Sequence, residues 1–527
     1  MTAGGRKYIL AVDLGTSGPK VALFDAGGTM VTSCFVPTPT ILLPGGGAEQ
    51  RPDDWWQAIV RGTREVVSAS GVSPAEVVAI GCSAQWSGTV AVDRAGRPLM
   101  NAIIWMDSRG APYLREIGEG AFKIEGYALR KLVYWLRLTG GLPGPSGKDA
   151  IAHMLFIKHE RPEVYEATDK FLEPLDYLNL RMTGKAAASY HSISLAWVTD
   201  NRQVGSVHYD DRLIAMTTID RDKFPDLLPV DAVLGPLTAE AAGELGLTEA
   251  TQVVMGAPDL HAAAVGSGAV DDYDGHLYIG TSSWITCHVP FKKVDVIRNI
   301  ASLPSAIPGR YFVADEQETS GACLNFLRDN VFFPSDELET AAPDDVFQRF
   351  DRMAARVPPG SGKLIFLPWL YGERTPVEDR FVRGGFVNLS LDATRAHMVR
   401  AVLEGVGYNL RWLCGAVEHF IGRPFARLNI IGGGAKSDVW CQILADILDR
   451  EIRQVRDPIM ANVRGAAFLA AHAMGFLDFS DIPGRVSIAR TFRPNPENRA
   501  IYDELYEQFG RLYRANRRIF ARLNRTQ

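Results

Sequence analysis

Twice in this chain a Gly-Thr-Ser turn joins two short apolar strands. The first runs Tyr8-Ile-Leu-Ala-Val-Asp-Leu-Gly-Thr-Ser-Gly-Pro-Lys20, the second Leu277-Tyr-Ile-Gly-Thr-Ser-Ser-Trp-Ile285. Glycine lets backbone approach a bound group closely, and Thr and Ser add hydroxyl donors. Two such hairpins can clamp a polyphosphate from opposite sides. That arrangement requires two related halves facing one another.

At 527 residues the chain is too long for one ordinary core, so two or more domains are expected. A net charge of −5 provides no global basic field, so no nucleic-acid partner is expected. The basic density from Arg511 to Arg525 reads as the solvated face of a last helix, Ile501 to Leu523. That helix could pack on its own chain or on a second copy in a homodimer. Cys34, Cys82, Cys287, Cys323, Cys414 and Cys441 form no C-x-x-C pair, so a reducing compartment without a disulfide framework fits. No apolar segment precedes Tyr8, and no run approaches the roughly 20 apolar residues of a membrane helix. A cytoplasmic location with no membrane partner is expected.

The spacing of apolar residues predicts strands, a helix opening at Pro52-Asp-Asp-Trp-Trp and ending near Gly71, then strands at 77–82 and 89–92. The stretch from 110 to 250 reads as richer in helices. Strands are expected again at 253–255, 276–289, 364–367 and 428–431. A long helix is expected over 396–420, a helix capped by Ser437, and a small-residue helix at 464–471. The half-to-half repeat is weak in sequence.

Several residues carry chemistry. Asp13 ends an apolar strand, where an unpaired carboxylate is costly, and its natural partner beside a phosphate turn is hydrated Mg2+. A turn-capping aspartate is the alternative. Gly15, Thr16 and Ser17 would hold phosphate oxygens, with Lys20 supplying positive charge. Gly280, Thr281 and Ser282 form the counterpart. Gly432-Gly433-Gly434-Ala435-Lys436-Ser437 is a strand-to-helix turn whose free amides suit a nucleotide. It is neither G-x-G-x-x-G nor G-x-x-x-x-G-K-[ST], which argues against dinucleotide and Walker-type sites. Asp259, after a strand and a Gly-Ala-Pro turn, is placed to accept a proton from a hydroxyl and to stand near the metal. A plain helix N-cap is its alternative, and His261 reads as structural.

Substrate groups are expected at Gln85, Trp86, Ser87, Trp105 and Asp107. The two tryptophans could wall a sugar ring or sit in the core. Asp107 and Arg109 read equally as a local ion pair. Glu373 and Arg374, after an apolar strand, read as cleft-facing or as a structural pair.

In this order the motifs resemble the FGGY family of carbohydrate kinases, most closely its xylulokinase branch, from about residue 8 to 480. Asp13-Leu-Gly-Thr-Ser-Gly18 is similar to the first phosphate hairpin, Ile279-Gly-Thr-Ser282 to the second, and Ile431-Gly-Gly-Gly-Ala-Lys-Ser437 to the adenosine motif. Gly256-Ala-Pro-Asp259 stands where the family carries its general base. Phe366 to Pro376 and Leu403 to Tyr408 are similar to family signatures. The resemblance implies an α/β fold of two ribonuclease-H-like, actin-like ATPase domains flanking a catalytic cleft, about 1–270 and 271–527. It implies ATP, Mg2+ and a sugar or polyol acceptor, with Asp259 as base. Xylulokinases usually carry Gln-Met-His-Gly where this chain has Gln85-Trp-Ser-Gly88. Met106 stands where asparagine is common, and 189–194 lacks an acidic residue. The acceptor expected is a ketopentose such as xylulose, with ribulose, erythritol or a non-catalytic sugar or nucleotide sensor as alternatives.

Overall fold

Each Gly-Thr-Ser turn opens a sheet, and the two sheets share one plan. The computed structural model describes residues 6–124, 126–337 and 341–525, so the outermost ends of the expected domains, 1–5 and 526–527, lie outside the described residues. Strand β1 (Tyr8–Gly15), β2 (Gly18–Asp25) and β3 (Met30–Phe35) form an antiparallel meander. Helix α1 (Pro52–Ser70) returns the chain to β4 (Val77–Ala84), parallel to β1. Strands β5 (Val233–Pro236) and β6 (Gln252–Val254) complete the order β5-β6-β4-β1-β2-β3, with β6 parallel to β4 and β5 antiparallel at the edge. Helix α2 (Asp259–Gly266) follows.

The second half repeats this. Strands β7 (Gly275–Ile279) and β8 (Ser283–Val289) form the hairpin. Two edge strands, β9 (Val294–Asp295) and β10 (Ile300–Pro304), precede β11 (Tyr311–Gln317), which pairs antiparallel with β8. Helices α3 (Val346–Ala355) and α4 (Arg395–Ile421) lead to β12 (Arg427–Ile431), parallel to β7. Helix α5 (Asp438–Leu448), β13 (Glu451–Val455), helix α6 (Ala461–Ala473), β14 (Ile488–Phe492) and helix α7 (Arg499–Asn524) finish the chain. The order β9-β10-β11-β8-β7-β12-β13-β14 contains the first sheet's plan intact, including the antiparallel last strand. This meander followed by parallel strands is the ribonuclease-H-like arrangement, present twice. The repeat that is faint in sequence is explicit in topology.

Local chemistry explains the elements. Helix α1 has Pro52 in its first turn with Asp53 and Asp54, which suit the positive helix start, and Gly71 closes it in the left-handed conformation at φ 67°. Strand β1 is buried on both faces: Leu10, Val12 and Leu14 face a core closed by α1, while Ile9 and Ala11 face α6. Helix α7 packs on its own chain, burying Tyr502, Leu505, Phe509 and Tyr513 beside Trp369 and Tyr408. All six cysteines are unpaired. No helix among the described residues is long and apolar enough to cross a membrane.

The halves meet through small residues. Helix α6 of the second half lies on β1 and β4 of the first sheet and crosses α2. A Cβ on Gly465 would collide with the Ala262 carbonyl, one on Gly266 with the Ala461 carbonyl, and one on Gly81 with the Ala466 carbonyl. These backbones touch, so the contact tolerates no added methyl. We expect Gly465→Val to lower unfolding free energy by about 1–3 kcal/mol or more. Gly415→Ala, on an exposed turn of α4 with open space around it, is expected to raise it by about 0.5–1 kcal/mol. Denaturant titration of both variants checks the contrast.

Candidate active site

The first hairpin places Asp13 directly opposite Lys20. Lys20 Nζ lies 3.0 Å from Asp13 Oδ2, and Ser83 Oγ on neighbouring β4 donates to Oδ1 at 2.8 Å. Asp13 is therefore buried with both oxygens engaged, more than a turn cap would require. Its carboxylate, and to a lesser extent that of Asp259, holds the Lys20 ammonium charged against burial. Gly18 needs its positive φ of 133°, and a side chain there would strike the Val36 carbonyl. Gly15 is half-buried and Ser17 exposed at the tip. Thr16 is fixed from the substrate side: its hydroxyl donates to Gln85 Oε1 at 3.2 Å and accepts from Trp105 Nε1 at 2.9 Å.

Asp259 opens α2 after Gly256, whose φ of 75° and contact with the Cys82 carbonyl exclude a side chain. The helix cap is Pro258, whose carbonyl takes the amides of His261 and Ala262. Among the described residues the Asp259 carboxyl accepts only the adjacent Leu260 N–H, at 2.8 Å, so it is not spent on capping. Burial, then the Asp13 carboxylate and more weakly Glu316, push it up to about 7, against the Leu260 amide and Lys20. Such values cluster at functional sites.

From the second half, Tyr278, Trp284 and Glu316 form one row across β7, β8 and β11. Arg374 pairs with Glu316 at 2.9 Å and Glu318 at 3.1 Å. Glu373 is buried, takes Asn409 Nδ2 at 2.5 Å and the amides of Arg374 and Glu318, and is pushed up to about 7 by burial. Glu373 is thus a structural anchor, and Arg374 secures the carboxylate that faces Asp259. Thr281 is exposed and Ser282 half-buried at the second turn, while Gly280 tucks its carbonyl under the Gly321 amide.

In the glycine-rich turn, Gly432 and Gly434 pack against Ile279, and Gly433 is exposed with open space above it. Ala435 is buried, its carbonyl accepting from Gln454 Nε2 at 2.7 Å. Ser437 caps α5 by accepting the Trp440 N–H at 3.0 Å and donates to Asp351 at 2.6 Å. Ala435 and Ser437 shape the turn, and Gly433 presents open backbone.

On the acceptor side, Gln85 bonds Gln50 at 2.7 Å, and Trp86 donates to the Ser192 carbonyl at 3.0 Å with its ring edge on His261. Ser87 sits at φ 63° and donates to the Lys148 carbonyl at 2.8 Å. Trp105 remains half-exposed. Asp107 is 1% exposed, and its oxygens are taken by Arg109 and the Ala48 amide. Arg109 also pairs with Glu49 at 2.6 Å, so the ion-pair reading of Asp107 replaces the substrate one. Ser83, Gln50, Glu316 and Tyr278 were not singled out from sequence. The polar run Asp315-Glu316-Gln317 at the end of an apolar strand was a signal for one of them.

Residues 8–266 match the model of the FGGY family of carbohydrate kinases, N-terminal domain, and residues 276–474 that of its C-terminal domain. The chain belongs to the FGGY family of carbohydrate kinases. It is 28% identical to a xylulose kinase of Staphylococcus epidermidis over 523 residues, covering 98% of this chain and 99% of that one. It is 28% identical to a gluconokinase of Bacillus licheniformis over 512 residues, 96% of each chain. A gluconate kinase structure from Lactobacillus acidophilus superposes with a TM-score of 0.86 at 26% identity, covering 99% of this chain and all of that one. This FGGY protein is accordingly a carbohydrate kinase with the actin-like two-domain fold.

Because Asp107 sits in a buried pair, Arg109→Met is expected to cost about 3–5 kcal/mol of unfolding free energy by stranding that carboxylate. A sugar-binding Asp107 would instead place the effect of its own removal in the acceptor KM, with stability unchanged. Denaturant titration alongside acceptor kinetics separates the two.

Proposed function

We propose that this FGGY kinase transfers the terminal phosphoryl group of ATP to a terminal hydroxyl of an open-chain sugar, a ketopentose such as xylulose being the favoured acceptor, across lobes divided near residue 270. The observation that carries the reading is the setting of Asp259: its carboxyl takes the Leu260 N–H and leaves capping to Pro258, while burial and the Asp13 carboxylate push it up to about 7. A general base works best with a pKa near the working pH.

Asp259 accepts the proton of the acceptor hydroxyl as that oxygen attacks the γ-phosphorus, and ADP departs with the bridging oxygen. The turns at 15–17 and 280–282 align the phosphates, Lys20 offsets their charge, and Gly433 carries the nucleoside end. The carboxylates of Asp13 and Asp259 offer oxygen donors alone, and no group of three His, Cys, Asp or Glu among the described residues forms a direct cage. That donor set suits hydrated Mg2+ shared with phosphates, which would neutralise charge on their oxygens. Gln85, Trp86, Ser87 and Trp105 shape the acceptor side, Trp105 and Gln85 being tied to the phosphate turn through Thr16.

A second reading takes an aldonic acid as acceptor. Lys148, whose carbonyl anchors Ser87, extends its ammonium to 5.1 Å from the Tyr371 ring and has no anionic partner among the described residues. A substrate carboxylate would supply one, and gluconokinases stand among the relatives.

An ADP-release assay over xylulose, ribulose, erythritol and gluconate tests the reading. Turnover with xylulose is expected, turnover with gluconate alone would select the second reading, and silence with ATP bound would favour a sensor. Asp259→Asn is expected to lose at least about 10²-fold in turnover with ADP affinity retained. Because the base must be deprotonated, kcat/KM should fall tenfold per unit below about pH 7. Glu316→Gln removes a charge that raises Asp259, so the acid limb should move to lower pH.

A further inference from the structure

The second phosphate turn is backed by an aromatic pair that the mechanism above leaves unused. Tyr278 and Trp284 are directly opposed on β7 and β8, with ring centroids 3.8 Å apart and planes 10° from parallel. Stacking of this kind fixes a ring more firmly than burial alone. Tyr278 lies on the sheet face that meets the first half, packed in the same cluster as Ile9, Ala11 and Ala263. Its phenol end rests on the backbone of Gly280, where any Cβ would collide with the hydroxyl. A Cβ on Gly432 would come within 3.0 Å of the opposite ring edge. One glycine from each nucleotide motif thus brackets this ring. Neither the phosphate turn nor the nucleoside turn could carry a side chain there without displacing it.

Tyr278 is half-buried, and its hydroxyl lies at the Gly280 backbone of the second turn. Trp284 is buried, and its Nε1–H also lacks an acceptor. A phenol hydroxyl and a buried, unpaired indole N–H therefore belong to the stacked pair behind the Gly-Thr-Ser turn. Burial, then the Asp259, Asp13 and Glu316 carboxylates, keep the phenol protonated well above the usual tyrosine range, so it stays a donor throughout the working pH range. A donor placed between the second phosphate turn and the nucleoside turn, near the carboxylates of Asp259 and Asp13, calls for an acceptor-rich anion.

We propose that Tyr278 is a further catalytic residue, its hydroxyl donating a hydrogen bond to a non-bridging oxygen of the phosphoryl group in transfer, with Trp284 as the positioning residue that holds the ring. This rests on the phosphotransfer reading. In the step, the acceptor O–P bond forms as the bond from the γ-phosphorus to the β,γ-bridging oxygen breaks. The acceptor proton goes to Asp259, and the bonding pair leaves with ADP. Tyr278 keeps its proton and only strengthens its hydrogen bond as charge spreads over the equatorial oxygens.

Tyr278→Phe removes the hydroxyl and keeps the stacked ring, so the melting temperature is expected to stay at the wild-type value. Loss of one such donor typically costs about 10²-fold in kcat. We expect that loss with the acceptor KM unchanged, a split that a merely structural tyrosine would not give. A second readout needs no turnover: aluminium fluoride tightens ADP binding by mimicking the phosphoryl group in flight, and Tyr278→Phe should lose most of that gain while binding ADP alone normally. A kcat within threefold of wild type together with an undiminished fluoride gain overturns the role of Tyr278 and leaves the kinase reading standing. Failure of the wild-type protein to bind ATP or ADP at all overturns both.

Discussion

The site depends on a charge imbalance at the junction of the two lobes. Asp13 and Asp259 from the first half and Glu316 from the second converge where Lys20 is the cation that bears on both aspartates. Asp13 takes the lysine and a serine hydroxyl, and Glu316 takes Arg374. Asp259 is left with a single backbone amide, and burial beside the other two carboxylates raises its proton affinity. An aspartate in water would be too weak a base at neutral pH. On the proposed mechanism, the neighbours that would handle phosphate also tune the carboxylate that would act as base.

Such tuning works only if the lobes keep their distances, and the crossing of α2 with α6 secures them. Gly266 and Gly465 let the two backbones touch, and Asp259 lies on the first turn of α2. Helix α6 also rests on β1 and β4, the strands that carry Asp13 and Ser83. One packing contact therefore holds Asp259 relative to the first hairpin.

The fold was legible in the residues because its signals are local. Pro52 with Gly71, Ser437 as a cap, and the long apolar spacing of 395–421 each mark an element where the structure has one. The glycine turns were legible for the same reason, since Gly18, Gly256 and Gly432 take positive φ angles that few other residues adopt. Long-range pairings were harder to read. The sequence left Asp107 open between a substrate group and a local pair with Arg109, and nothing near it reveals Glu49, which joins the pair through Arg109. Glu316 and Tyr278 gain their meaning from strand register across three strands, which no short motif encodes. The acceptor lies further out of reach, because Trp86, Ser87 and Lys148 are brought together by loops.

The central claim is that neighbouring carboxylates and burial hold the Asp259 carboxyl near neutrality before any ligand arrives. Difference infrared spectroscopy, subtracting the Asp259→Asn protein from the wild type as pH is stepped without nucleotide, reads that titration directly. The account predicts a midpoint near 7. A midpoint near the ordinary aspartate value of about 4 would contradict it.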